Sequence, residues 1–248
     1  MLRRAWLLAP AMLRRTMAEL RGELRPVTFE GTPSAGLQSQ ALLYIPGEHR
    51  PDQTTPLLVF LHGASSRGSD PAVLKRYGPL AAVERRGEFP FAVLAPQCSP
   101  GHLWNDARAI VDFTDQIERH WGTDPRRVYL TGLSMGGGGT WYVASQFPRR
   151  YAAIVPMCGP TQPRQWARSL VDVPVWCFHG SRDEQIPLAR SREMIAELQR
   201  LGGSPRFTVL KGKRHDITYL YYEDRIYDWM GGHRLPPEPA AQNGRRGE

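Results

Sequence analysis

Long apolar runs are missing from this 248-residue chain. No stretch approaches the roughly 20 residues needed to cross a bilayer, so no membrane-spanning segment is expected. Cysteine is scarce: Cys98, Cys158 and Cys177 form an odd set with no close pair, which argues against a disulfide framework. Cys177 lies inside an apolar run and reads as a small buried hydrophobe. C-x-x-C, H-E-x-x-H and His/Asp clusters with ligand spacing are all absent, so neither a metal nor a cofactor is expected. Lysine and arginine outnumber the acids 32 to 24, for a net charge of +8. That excess is almost all arginine and is spread from end to end. No basic run is interleaved with aromatics, as a nucleic-acid groove would require, so no nucleic-acid partner is expected.

What is present is organised as two tails around a continuous core. Residues 1–25 hold six arginines against Glu19 and Glu23 and form a basic leader. Pro10 interrupts its apolar run, Arg14 and Arg15 follow, and no A-x-A cleavage site appears, so a cytoplasmic protein is expected. Residues 234–248 are rich in Pro and Gly and read as disordered. One domain is expected over 26–233.

Within that domain short apolar runs alternate with helical patterns. The runs are 57–61, 91–95 (ending at Pro96), 127–132 (after the turn TDPR), 152–159, 173–180 and 207–210. Their Val, Ile, Leu and Phe content suits strands buried on both faces. An earlier strand over 41–46 is expected to be antiparallel at the sheet edge. Ile110, Phe113, Ile117 and Trp121 share one helical face, as do Met194, Ile195, Leu198 and Leu201, with Gly202 closing the second helix. The alternation implies an α/β fold with a mostly parallel central sheet flanked by helices. Ligands of such sheets bind beyond the carboxyl ends of the strands. His62, Ser134, Asp183 and His215 all follow apolar runs within a few residues.

The sharpest motif is Gly132-Leu133-Ser134-Met135-Gly136, between the strand at 127–131 and a helical stretch at 137–147. A strand turning abruptly into a helix exposes the serine hydroxyl, and side chains at the flanking positions would clash. Ser134 is therefore the candidate nucleophile. In an α/β-hydrolase fold the acid and then the histidine follow along the chain. Asp183 and its neighbour Glu184 are the candidate acids, because the loop after 152–157 holds no carboxylate. His215 is the candidate base. The one later histidine, His233, follows no strand, while His49, His102 and His120 look like surface residues. His62 and His179 each precede a glycine at a strand end and read as loop-shaping. An oxyanion hole needs two backbone N–H groups. Met135, after the nucleophile, supplies one, and Ala64, in the loop after the 57–61 strand, is assigned the other.

These segments resemble a known group. LLVFLHGASSRGSD, APQC with a Trp at 104, GLSMGG, FHGSRDEQIP and RHDITY with YDWM are similar to bacterial esterases related to feruloyl and polyhydroxyalkanoate-type esterases and to prolyl-oligopeptidase-like hydrolases. The resemblance covers about residues 40–230. It implies the α/β-hydrolase fold, a Ser134–His215–Asp183 triad and an oxyanion hole at the Ala64 and Met135 amides. Two departures bear on pocket shape. Ser65 stands where the group usually has glycine, and Asp216-Ile217-Thr218 replaces the commoner Asp-Ser-Trp, leaving Tyr219 as the nearest aromatic. Trp104 is a candidate substrate-binding residue, with core packing as its alternative, and Trp141 shares both readings. The expected chemistry is hydrolysis of a small-molecule ester through an acyl-enzyme. A peptidase of the same fold and a non-catalytic binding module on a hydrolase scaffold stand as alternatives.

Overall fold

The computed structural model describes residues 22–34, 36–47, 55–86 and 89–237. Eight strands form one sheet: β1 (Glu23–Thr28), β2 (Leu37–Ile45), β3 (Thr55–Leu61), β4 (Ala92–Cys98), β5 (Thr123–Leu133), β6 (Ala153–Met157), β7 (Trp176–Gly180) and β8 (Arg206–Leu210). Their order across the sheet is β1-β2-β4-β3-β5-β6-β7-β8. β1 pairs antiparallel with β2, and β2 antiparallel with β4, while β3 to β8 run parallel to their neighbours. The helices are α1 (Gly78–Arg86), α2 (Ala107–Trp121), α3 (Met135–Gln146), α4 (Pro163–Trp166), α5 (Leu188–Arg200) and α6 (Asp224–Gly231).

The central strands are apolar on both faces because helices cover both. In β3, Leu57, Val59 and Leu61 point into one core with α2, α3 and α5, while Leu58 and Phe60 point into the other with α1 and α6. The helical face read from sequence is real: Ile110, Phe113 and Ile117 of α2 are buried on the first core, and each such side chain contributes roughly 1.5–3 kcal/mol. Asp106 caps α2 by accepting the Ala109 N–H, and Gly122 ends it in the left-handed conformation at φ 61°.

Several boundaries differ from the sequence reading. β1 begins at Glu23, inside the expected leader, because residues 23–28 pair with 40–45 of β2. β2 is therefore antiparallel but one strand in from the edge. β4 does not stop before Pro96 but runs to Cys98. β3 leaves it after the Val59–Leu94 pair, and Pro96 is the last residue in regular register with β2, opposite Ala41, before the shift between Leu37 and Ala41. The expected TDPR turn is the irregular start of β5, where the buried Asp124 carboxylate accepts from Arg126 N–H and Arg127 Nε. The start of the expected C-terminal tail is tied down. Arg234 donates to Asp124, and Leu235 exchanges hydrogen bonds with Arg126. The leader over 1–21, His49 and the tail over 238–248 lie outside the described residues. Among the described residues no helix is long and apolar enough to cross a membrane.

Candidate active site

The bend between β5 and α3 is built by steric necessity. Ser134 sits at φ 59° and ψ −120°, a conformation that costs a non-glycine residue of order 1–3 kcal/mol. Its N–H donates to Met157 O at 2.9 Å and its carbonyl accepts from Gly138 N–H at 3.0 Å, which holds the bend. A Cβ at Gly132 would stand 2.6 Å from Leu61 O, and one at Gly136 would overlap that same carbonyl. Both flanking glycines are therefore required by the close approach of β3, as the motif implies.

The loop after β3 lies against this bend. A Cβ built on Gly63 would be 3.7 Å from Ser134 Cβ, an ordinary contact. Residues Ala64–Ser66 form a single 3-10 turn. Ala64 and Met135 are each the first residue of a helical segment, so neither N–H has a partner within its own helix. His62 anchors the loop from below. Its fully buried ring donates from Nδ1 to Gly63 O at 2.8 Å and accepts the Cys98 N–H on Nε2 at 3.0 Å, which fixes the neutral tautomer. Burial, helped by the nearby Arg67 charge and opposed by the Gly63 bond, pushes its pKa down to about 4. The Gln97 side-chain amide donates to Ser66 O, and Arg67 Nε donates to Met135 Sδ at 3.2 Å. Sequence reasoning gave His62 a loop-shaping part but assigned none to Gln97 or Arg67. Their signal was their place in the APQC and HG segments.

Asp183 and His215 come from the loops after β7 and β8, which are stitched together. Arg182 N–H donates to Lys213 O at 2.8 Å, Gly212 N–H to Ser181 Oγ at 2.8 Å, and a Cβ on Gly180 would overlap Arg214 O. Asp183 Oδ1 accepts the amides of Gln185 and Ile186, both at 2.9 Å, and Oδ2 accepts His215 Nδ1–H at 2.7 Å. Burial works to raise the Asp183 pKa, but the bonds from His215, Ile186 and Gln185 outweigh it and hold the carboxyl below its usual range. Glu184, the rival acid, is exposed and lies 3.8 Å from Arg214 instead. The far nitrogen of His215, Nε2, is buried and has no hydrogen-bond partner among the described residues.

Ser134, His215, Gly63 and Ala64 line one cavity of about 490 Å³. Its remaining wall mixes polar Arg76, Gln185 and Thr218 with apolar Phe60, Tyr77 and Leu133. Trp104 is not part of that wall. It is 4 % exposed, its indole N–H donates to His62 O at 2.9 Å, and its ring meets the His62 ring edge-on, so it supports the loop from behind the cavity wall. Trp141 is wholly buried in the α3 core. Tyr219 is also off the wall, with Lys213 over its ring, while Thr218 lines the cavity along with His215. Cys158, His179 and Asp183 are the one group of potential metal ligands clustered among the described residues. Both His179 nitrogens are already hydrogen-bonded, to Ser191 Oγ and Ile186 O, and burial drives the Cys158 thiol upward.

Residues 97–219 match the model of the dienelactone hydrolase family. The chain is 29% identical over 148 residues to a bifunctional acetylxylan esterase/xylanase of Neocallimastix patriciarum, covering 57% of this chain and 21% of that protein. It is 27% identical over 204 residues to a probable inactive carboxylesterase of Oryza sativa subsp. japonica, covering 70% of this chain and 82% of that one. Among solved structures, a thermostable esterase superposes with a TM-score of 0.67 at 29% identity, over 79% of this chain and 59% of the other. The strand order, the bend at Ser134 and these likenesses agree: the chain has the α/β-hydrolase fold, and over residues 97–219 it matches the model of the dienelactone hydrolase family.

Proposed function

We propose that this protein hydrolyses carboxylic esters through an acyl-enzyme on Ser134. The observation that carries the reading is the pairing at His215: Nδ1–H is committed to Asp183, while the buried, unpartnered Nε2 belongs to a ring that shares a cavity with Ser134. A base held this way takes the serine proton as Oγ attacks the ester carbonyl. The Ala64 and Met135 amides hold the oxyanion. His215 then protonates the departing alcohol, and water enters to repeat the sequence in reverse. Asp183 stays ionised and keeps the proton on Nδ1.

The mixed polar and apolar wall of the cavity accommodates a short acyl group on a polar alcohol. The acetylxylan esterase among the relatives supports the same reading. A panel of p-nitrophenyl esters of increasing acyl length, run on wild type and Ser134→Ala, tests it. Acetate and propionate esters are expected to turn over fastest, with at least about a 1,000-fold loss in the variant. Equal rates for the two proteins would end the proposal. Turnover of aminoacyl anilides without turnover of esters would favour the peptidase reading.

A further inference from the structure

We propose that His179 is a second imidazole on the acid, a positioning residue that holds Asp183 and restrains the basicity of His215. This inference rests on the reading of Ser134, His215 and Asp183 given above. His179 closes β7 and is fully buried. Its Nε2 lies 2.9 Å from Ile186 O and 3.2 Å from Asp183 Oδ2, the same oxygen that takes the His215 proton. A carbonyl only accepts, so Nε2 carries hydrogen, bonds it to Ile186 O and keeps it within ion-pair distance of Asp183 Oδ2. Nδ1 is then a bare lone pair, and Ser191 Oγ–H of α5 donates to it at 2.8 Å. The Cys177 thiol donates to Ser191 Oγ at 3.5 Å, which leaves the hydroxyl proton for His179. A directed chain results: Cys177 to Ser191, Ser191 to His179, and His179 to Ile186 O with its N–H set 3.2 Å from Asp183 Oδ2, while His215 arrives at Asp183 from the other side.

The consequence is electrostatic. Asp183 already accepts two amides on Oδ1, so His179 is not needed merely to satisfy the carboxylate. It spreads the charge of Oδ2 over a second N–H and turns the positive end of a dipole toward His215. Both effects weaken the hold of Asp183 on an imidazolium. The titratable groups facing this cluster are Cys158 from the end of β6, Cys177 beside His179 on β7, and Asp183 and His215 from the two loops. Burial lowers the His179 pKa, against the Ile186 and Asp183 contacts that raise it, so the ring stays neutral and its tautomer stays locked.

The test reads the His215 pKa directly, by NMR titration of ring-labelled histidine in wild type, His179→Leu, His179→Gln and Ser191→Ala. That signal does not depend on turnover, so it separates this inference from the esterase reading. Ser134→Ala run alongside shows whether hydrolysis itself is authentic. The His215 pKa is expected to rise by about half a unit or more in His179→Leu. It should return toward wild type in His179→Gln, whose Nε2 donor can reach Oδ2, and the acid limb of kcat/KM should move with it. Ser191→Ala, a smaller change that guards against misfolding of the leucine variant, is expected to shift it in the same direction. An unmoved His215 pKa in folded His179→Leu, or in Ser191→Ala should the leucine variant not fold, overturns the inference. So does a shift that glutamine fails to reverse.

Discussion

Arg67 Nε donates to Met135 Sδ at 3.2 Å, joining the loop that carries one proposed oxyanion donor, Ala64, to the residue proposed as the other. The two amides come from different strands, β3 and β5, and their spacing depends on how the loop seats on the bend. Arg67→Ala is expected to lower kcat by about 10- to 100-fold with KM little changed, because a misplaced donor is felt most in the transition state. Steady-state kinetics on a short acyl ester checks this. A change confined to KM would mean that Arg67 contacts substrate instead.

His62 makes the fold acid-sensitive in a defined window. Its pKa lies at about 4 in the folded chain, against an ordinary value of 6.5. A histidine held neutral by folding contributes fully above pH 6.5. The contribution falls away as the pH drops from 6.5 to about 4, because only the unfolded chain takes up the proton. Between pH 7.5 and 5 this amounts to about 2 kcal/mol. Urea unfolding at those two pH values is expected to show a larger loss in wild type than in His62→Gln, by roughly that amount. Equal losses would remove His62 as the source.

Asp183 and Glu184 are neighbours in sequence with different surroundings. Asp183→Asn is expected to reduce kcat by about 10,000-fold near neutral pH, since an amide donates where His215 Nδ1 also donates and the wrong tautomer results. Glu184→Gln removes only an exposed partner of Arg214 and is expected to leave kcat unchanged. Parallel kinetics on the two variants decides between them.

Trp104 separates support from contact. Trp104→Phe keeps a ring against His62 but leaves the buried His62 carbonyl without its donor, which is expected to cost about 1–3 kcal/mol of stability. Thermal denaturation reads that loss. KM for short esters is expected to hold, because the indole lies off the cavity wall.

The strand pattern and the bend at Ser134 were legible in the sequence because each is forced locally. Buried parallel strands need continuous apolar runs, and a strand-to-helix bend packed against β3 needs glycine on both sides. The β1 strand was not legible. Its residues are only half-buried or exposed at the sheet edge, and nothing local distinguishes them from a charged leader. Nor was the roll of loop anchors. Gln97, Arg67 and Trp104 act through contacts to residues 31 to 68 positions away, and such pairings leave no periodic trace. The choice between Asp183 and Glu184 likewise rested on resemblance, since two adjacent carboxylates differ only in where the next loop places its histidine.

The most direct measurement is intact-mass analysis after treatment with a fluorophosphonate probe, followed by peptide mapping. One adduct per chain, located on Ser134 and lost in His215→Gln under the same exposure, is the expected result. A folded wild-type protein that stays unlabelled, or that carries its adduct on another residue, would contradict the account.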